Sequence, residues 1–248
     1  MTRLGAFHED ANCVVVGASG GIGAALTDLL VTDGQVGRTY ALSRSPLPLV
    51  SDKQSAHTID ITDESSVASA AETVGNQAPL DLVIVATGIL HRGKELSPEK
   101  RIGELDAQAM QDVYTINTIG PALVAKHFLP RVRRGHKTVF AAISARVGSI
   151  GDNRLGGWLS YRTSKSALNM VLKTLSVEQA RRHPDCVVAA LHPGTVDTAL
   201  SRPFQRNVPE DRLFKPGQAA GYLLDVVNGL TPADTGGFFA WDGSRIEY

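Results

Sequence analysis

Asn12-Cys13-Val14-Val15-Val16-Gly17-Ala18-Ser19-Gly20-Gly21-Ile22-Gly23 carries an apolar, β-branched run into a glycine-rich turn, and the turn into a helical pattern over Gly21–Thr32. Apolar residues at successive positions are what a strand covered on both faces requires. Glycines after such a strand let the backbone turn tightly, approach an anion and open a helix whose N-terminal N–H groups face it. The stretch therefore predicts the first strand of a parallel sheet with a pyrophosphate-binding turn. Taken singly, the turn also admits a purely structural reading.

The rest of the chain repeats the alternation. Strands are expected at Asn12–Gly17, Arg38–Ser43, Ala56–Asp60, Leu80–Thr87, Lys137–Ser144, Val187–His192 and Gly237–Trp241. Helices are expected at Gly21–Thr32, Glu64–Gly75, Asp106–Leu129, Tyr161–Arg182 and Pro216–Gly229. This predicts an α/β fold, one Rossmann-type doubly wound parallel sheet flanked by helices, in a single domain over residues 1–248. Arg202–Leu213, with Pro203 and Pro209, is expected to be a mobile loop within that domain.

Composition narrows the function classes. The 248 residues are 43% hydrophobic, enough for a sizeable core, and 25 basic residues balance 25 acidic ones. No block of like charge suggests a nucleic-acid arm or a membrane-surface patch. Met1–Ala11 lacks a leader pattern and no run approaches a membrane span, so a soluble, cytoplasmic protein is expected. Cys13 and Cys186 each open an apolar run and read as buried strand residues, with no metal implied.

Ligands of such a sheet gather at the carboxyl ends of its strands. The second strand ends in Ser43-Arg44-Ser45, where most dinucleotide sites carry an acidic residue for the adenosine ribose. Arginine there fits a 2′-phosphate through charge-assisted contacts and favours NADP over NAD, although a solvated loop arginine is the plain alternative. Downstream, Tyr161 and Lys165 stand at i and i+4 on one helical face. A free phenol keeps its proton to pH about 10, and a nearby cation favours its ionised form. The pair is a candidate proton donor, or, by itself, an ordinary surface pair.

Together these motifs resemble a short-chain dehydrogenase/reductase over nearly the whole chain. They are Gly17-Ala18-Ser19-Gly20-Gly21-Ile22-Gly23, Asp60-Ile61, Ala86-Thr87-Gly88, Asn117, Tyr161-x-x-x-Lys165 and Pro193-Gly194-Thr195-Val196-Asp197-Thr198. Gly237–Gly243 and Ser144–Ile150 are similar to the branch containing C-factor-like and sniffer-like carbonyl reductases. The resemblance implies that Tyr161 protonates a substrate carbonyl while NADPH delivers hydride. Lys165 would lower the phenol's pKa and bind the nicotinamide ribose, and Asn117 would interrupt its helix to hold a water behind Lys165. It also implies a cofactor site of Gly17, Ser19, Gly21, Ile22, Gly23, Ser43, Arg44, Asp60, Ile61, Ala86, Thr87, Gly88, Asn117, Tyr161, Lys165, Pro193, Gly194, Val196 and Thr198.

Two departures stand out. Val85-Ala86-Thr87-Gly88 replaces the usual Asn-Asn-Ala-Gly, losing an amide that braces the sheet. The serine expected three residues before Gly148, which would hydrogen-bond the substrate carbonyl, is Ala145. Ser144 is the first choice to replace it, provided the strand end bulges or twists, and Ser149 the second; either could instead be a local backbone cap. The expected function is reduction of an aldehyde or ketone, or the reverse oxidation of an alcohol. The alternative is an NADP-binding regulatory or signalling protein with weak or no turnover. Leu90, Trp158, Leu159, Phe204 and Phe214, in the segments Ile89–Glu95, Gly148–Leu159 and Leu200–Phe214, suggest an apolar ligand, unless they merely close over the cofactor. Family resemblance implies a homodimer or tetramer paired through the helices of Asn117 and Tyr161.

Overall fold

Alternate residues of the first strand feed two separate apolar layers. In the computed structural model, which describes residues 3–93 and 95–248, Val14 and Val16 of β1 (Ala11–Val16) face one layer and Cys13 and Val15 the other. Met1, Thr2 and Lys94 lie outside the described residues, and with them parts of the expected leader-free N-terminus and of the 89–95 pocket segment. Successive strand side chains point to opposite faces, so a strand apolar at every position demands helices on both sides.

The helices follow in order. α1 (Gly21–Thr32) and α6 (Pro216–Gly229) cover the Cys13/Val15 face through Leu26, Leu30, Leu223 and Val227. α2 (Glu64–Gly75), α4 (Gly120–Phe128) and α5 (Leu159–Arg182) cover the other through Val67, Val74, Val124, Phe128, Leu168 and Leu172. Burying each large aliphatic or aromatic side chain contributes about 1.5–3 kcal/mol, which makes these two layers the main support of the fold.

The remaining strands are β2 (Val36–Ser43), β3 (Gln54–Thr58), β4 (Leu82–Val85), β5 (Thr138–Ile143), β6 (Cys186–His192) and, near the C-terminus, Phe238–Ala240. Two short strands precede that last one: β7 (Thr195–Val196) pairs in parallel with β8 (Leu213–Phe214), so Phe238–Ala240 is β9. The main sheet has seven parallel strands in the order β3-β2-β1-β4-β5-β6-β9. The chain leaves β1 for β2 on one side and returns to β4 on the other, and this reversal creates the crevice in which doubly wound sheets bind ligands.

Two local departures from the expected elements have physical causes. The helix expected over Asp106–Leu129 is α3 (Ala107–Tyr114), a π turn over Thr115–Ile119 and then α4. Pro121 has no N–H to give the carbonyl four residues back, that of Asn117, and its ring crowds that carbonyl, so the α-helical ladder breaks there. The segment expected as a loop, Arg202–Leu213, folds into two 3₁₀ turns, Arg202–Asn207 and Glu210–Arg212, and its last residue opens β8. Strands of two residues carry no periodic signal. Cys13 and Cys186 are free and buried.

Candidate active site

The crevice begins where β1 ends. Gly17 adopts φ +91°, and a Cβ there would lie 2.9 Å from the Thr87 Cγ2 and 3.1 Å from the Ala86 carbonyl carbon, so only glycine lets this turn lie against the end of β4. At Gly23 a Cβ would stand 2.1 Å from the Gly17 carbonyl oxygen, which fixes the seat of α1 beneath the turn. Gly20, the N-cap, offers no side chain to the first turn of α1. The N–H groups of that turn therefore face the crevice with the positive end of the helix dipole. Across the crevice, the Thr87 hydroxyl is buried without a hydrogen-bond partner.

Ser43, Arg44, Asp60 and Ile61 follow β2 and β3. Thr62 donates to Asp60 Oδ1 through its N–H at 2.9 Å and its hydroxyl at 2.7 Å. These bonds, with the nearby Arg44 guanidinium adding to them, hold the Asp60 carboxyl below the usual range. The Ile61 side chain is core: it is buried, and a Cβ on Gly120 would lie 2.7 Å from its Cδ1. Thr198 lies against Gly21, where a Cβ would meet its Cγ2 at 2.7 Å. Pro193 and Gly194 follow the end of β6, and Val196 lies in β7. Ser19 and Ile22 belong to the glycine turn and the start of α1.

A glycine cradle, an uncapped helix end, an unpartnered hydroxyl and Arg44 at the end of β2 together suit a dinucleotide phosphate. The donor set fits NADP: Arg44 would meet the 2′-phosphate and the Gly17–Gly23 turn the pyrophosphate.

Tyr161 and Lys165 both lie in the first two turns of α5 and are 8% and 3% exposed. Lys165 Nζ stands 5.9 Å from the centre of the Tyr161 ring and donates to the Ile143 carbonyl at 2.8 Å. Burial pushes the phenol up to about 12 and the ammonium down to about 8. Burial thus moves the phenol in the direction opposite to the lowering expected of the lysine. An alkoxide, far more basic than a phenolate, still takes a proton from such a phenol.

Asn117 sits fully buried in the π turn. Its Oδ1 accepts from the Ile89 N–H at 2.8 Å, and its Nδ2 donates to the Ile89 carbonyl at 2.9 Å and to Ser164 Oγ at 3.1 Å. A Cβ on Gly88 would lie 3.5 Å from both Asn117 Oδ1 and Lys165 Nζ, which places the two groups close to one glycine. Ser164, which the sequence reading did not single out, lies between them and donates to the Tyr161 carbonyl at 2.8 Å. Its position three residues after Tyr161, on the same helical face, was the available signal.

Ser144 is engaged elsewhere than at a substrate. Its hydroxyl donates to Asn169 Oδ1 at 2.7 Å, and the residue is 2% exposed. Ala145, half-buried in extended conformation, occupies the next position, whose side chain takes the opposite face. Ser149 is also buried, and its Oγ accepts from the Asp152 N–H at 3.1 Å, a local backbone cap. Beside this turn His192 Nδ1 accepts from the Arg146 N–H at 3.4 Å, and burial, with Arg146 nearby, pushes the imidazole down to about 4. It is neutral at physiological pH.

On the outer side of Tyr161 the rings of Trp158, Phe204 and His91 form a wall. Trp158 lies 6.3 Å from Tyr161 and 4.9 Å from Phe204, and Phe204 5.7 Å from His91, all edge to face. Three distant chain segments meet here, Phe204 being carried by the first 3₁₀ turn after β7. Leu90 and Phe214 are buried, and Phe214 packs on Trp241 and Tyr222. Among the described residues no three His, Cys, Asp or Glu side chains gather as a metal site, and no helix is long and apolar enough to cross a membrane.

A family model described as short chain dehydrogenase matches residues 11–209. The chain is 34% identical over 147 residues to "C-signal" of Myxococcus xanthus, covering 59% of this chain and 83% of that protein. Over 191 residues it is 32% identical to "1-hydroxy-2-glutathionyl-2-methyl-3-butene dehydrogenase" of a Rhodococcus species, covering 77% and 78%. Among solved structures, NADPH-bound carbonyl reductase from chicken fatty liver superposes with a TM-score of 0.82 at 27% identity, covering 97% of this chain and all of that one.

Proposed function

Because the chain belongs to the short-chain dehydrogenase family, we propose that it is an NADPH-dependent reductase of an aldehyde or ketone, with Tyr161 as general acid. The observation that carries this is the buried Tyr161–Lys165 pair beside the crevice at the β1/β4 reversal. NADPH, when bound, supplies the hydride that the carbonyl carbon takes up. Tyr161 Oη gives its proton to the carbonyl oxygen, and Lys165, one turn on, keeps a second proton available behind it. The Asn117 amide is paired to Ile89 and Ser164, so it holds the loop after β4 against α5. The likeness to an NADPH-bound carbonyl reductase supports the cofactor and the carbonyl substrate. Steady oxidation of NADPH over a panel of aldehydes and ketones tests the reading, and no turnover with any of them overturns it.

A second reading is favoured by one observation. With a methyl group at Ala145 and the Ser144 hydroxyl given to Asn169, the usual carbonyl-orienting serine has no evident replacement. An NADP-binding regulatory or signalling protein with weak turnover would tolerate that loss, and the likeness to C-signal agrees. Tight NADPH binding without turnover is its signature. We place a homo-oligomer in the same proposal, supported by exposed Ile119 beside α4 and exposed Met170 and Val177 along α5.

The burial of Lys165 gives a pH dependence. With its pKa lowered to about 8, the ammonium loses its proton as pH rises through that value. The kcat/KM for carbonyl reduction should therefore be level below pH about 8 and fall above it. A profile level to pH about 10 would dissociate Lys165 from the proton path.

Arg44→Ala tests the cofactor. Removing a charge-assisted hydrogen bond to the 2′-phosphate costs about 1.5–3 kcal/mol, so NADPH should bind roughly 10- to 100-fold more weakly while NADH is unaffected. Titration of both cofactors decides it, and equal weakening of the two would remove the basis for NADP.

A further inference from the structure

The N-terminus of α5 has no cap of its own. Trp158, the N-cap residue, makes no side-chain cap bond and lies in the left-handed region at φ 52°, ψ 43°. A tryptophan pays strain of order 1 kcal/mol to sit there, so something outside the helix must hold it. That something is Glu99, which is 6% exposed and comes from the far side of the loop between β4 and α3. Its carboxylate accepts from the Ser160 N–H at 3.2 Å and from the Ser160 hydroxyl, while its backbone carbonyl accepts from the Trp158 N–H at 2.5 Å. One residue thus binds the two positions that bracket Leu159, immediately before Tyr161. Among the described residues no cation lies within salt-bridge distance of this carboxylate, and the positive end of α5 is the charge it meets.

On the opposite side of the same turn, Arg162 donates to the carbonyls of Gly156 at 3.2 Å, Gly157 at 2.9 Å and Val147 at 3.3 Å. Tyr161 therefore sits between two side chains that tie the first turn of α5 to different loops. The two anchors differ in what they carry. Arg162 ties down the loop after β5, whereas Glu99 ties the loop after β4, which bears His91 of the aromatic wall and the Ile89 backbone held by Asn117.

We propose that Glu99 is a positioning residue for Tyr161. It sets the pitch of the first turn of α5, and with it the direction of the phenol, and it joins that turn to the loop on the substrate side. The inference rests on Tyr161 acting as general acid. A bond network this close to the proton donor matters to the rate because a misplacement of about 1 Å at a reacting group can cost roughly 10²-fold.

The test compares Glu99→Ala with Glu99→Gln in the full-length protein. Glutamine keeps an acceptor for the Ser160 N–H and should retain most of the rate, whereas alanine should lower kcat by roughly 10- to 100-fold with KM for the carbonyl and NADPH affinity little changed. Lys165 and the Gly17–Gly23 turn lie beyond the affected turn, which is why cofactor binding is spared. A Glu99→Ala protein with full kcat and only a lower melting temperature would show a cap with no part in catalysis and would overturn the proposal. Amide hydrogen exchange at Trp158 and Ser160 gives a second readout that needs no turnover. The Ser160 amide, which bonds to the Glu99 carboxylate, should be protected in the unmodified and Glu99→Gln proteins and exchange faster in Glu99→Ala, while the Trp158 amide, which bonds to the Glu99 backbone carbonyl, stays protected in all three; unchanged protection of Ser160 in Glu99→Ala overturns the proposal by itself. If no carbonyl is turned over by the unmodified protein, the reductase reading fails and the role at Tyr161 fails with it, whatever the exchange shows of the cap.

Discussion

Tyr161→Phe should lower carbonyl turnover by about 10²- to 10⁴-fold, the range for losing a positioned general acid, while NADPH binds nearly as before. The change deletes one hydroxyl from a residue that is 8% exposed, so the packing around it is kept. Burial has already pushed this phenol up to about 12, and its proton is therefore in place throughout the physiological range. The group is suited to donate to a forming alkoxide and poorly suited to accept a proton at neutral pH. Reduction should accordingly be the faster direction near pH 7, with alcohol oxidation gaining as pH rises. Lys165→Ala is the contrasting variant: its ammonium lies beside both the phenol and Gly88, so turnover and NADPH affinity should fall together. Single-turnover rates and cofactor titrations on the two variants separate the roles. Full turnover in Tyr161→Phe would mean that another group donates the proton.

Much of this site is local in sequence. The Gly17–Gly23 turn lies within one strand–helix unit, and Tyr161 and Lys165 are one helical turn apart, so residue type and spacing suffice to find them. The bounds of α1, α2 and α6 likewise coincide with the expected ones, as at Asp63, whose carboxylate accepts from the Ser65 N–H to start α2. What the sequence leaves open is direction and long-range pairing. Ser144 and Ser149 both offer a hydroxyl near the Ala145 position; only the bond to Asn169, 25 residues on, shows which way the Ser144 hydroxyl turns. Glu99 is invisible for the same reason, since Ser160 lies 61 residues away and Pro98-Glu99-Lys100 matches no motif. The phenol's ionisation is also beyond reach, because the sequence shows the nearby lysine but not the burial that raises the phenol.

Ala145→Ser should raise kcat/KM for carbonyl reduction by roughly 10- to 10³-fold, the range associated with one hydrogen-bond donor to a developing oxyanion. Position 145 follows β5 in extended conformation and is half-buried, so a hydroxyl can be added without displacing core. Ser144→Ala should have little effect on catalysis. Its hydroxyl proton is given to Asn169 Oδ1, and its loss would appear instead as reduced stability of about 1–3 kcal/mol, because a buried acceptor is left unpaired. The Asn169 Nδ2 is already buried without a partner, so this amide has no other bond through which to recover the loss. The two variants thus give signatures of different kinds, one in rate and one in melting temperature. A large drop in kcat/KM for Ser144→Ala with no gain for Ala145→Ser would return the orienting role to Ser144 and require the end of β5 to twist when substrate binds. A gain for Ala145→Ser would show instead that the catalytic frame around Tyr161 and Lys165 is intact and lacks one donor.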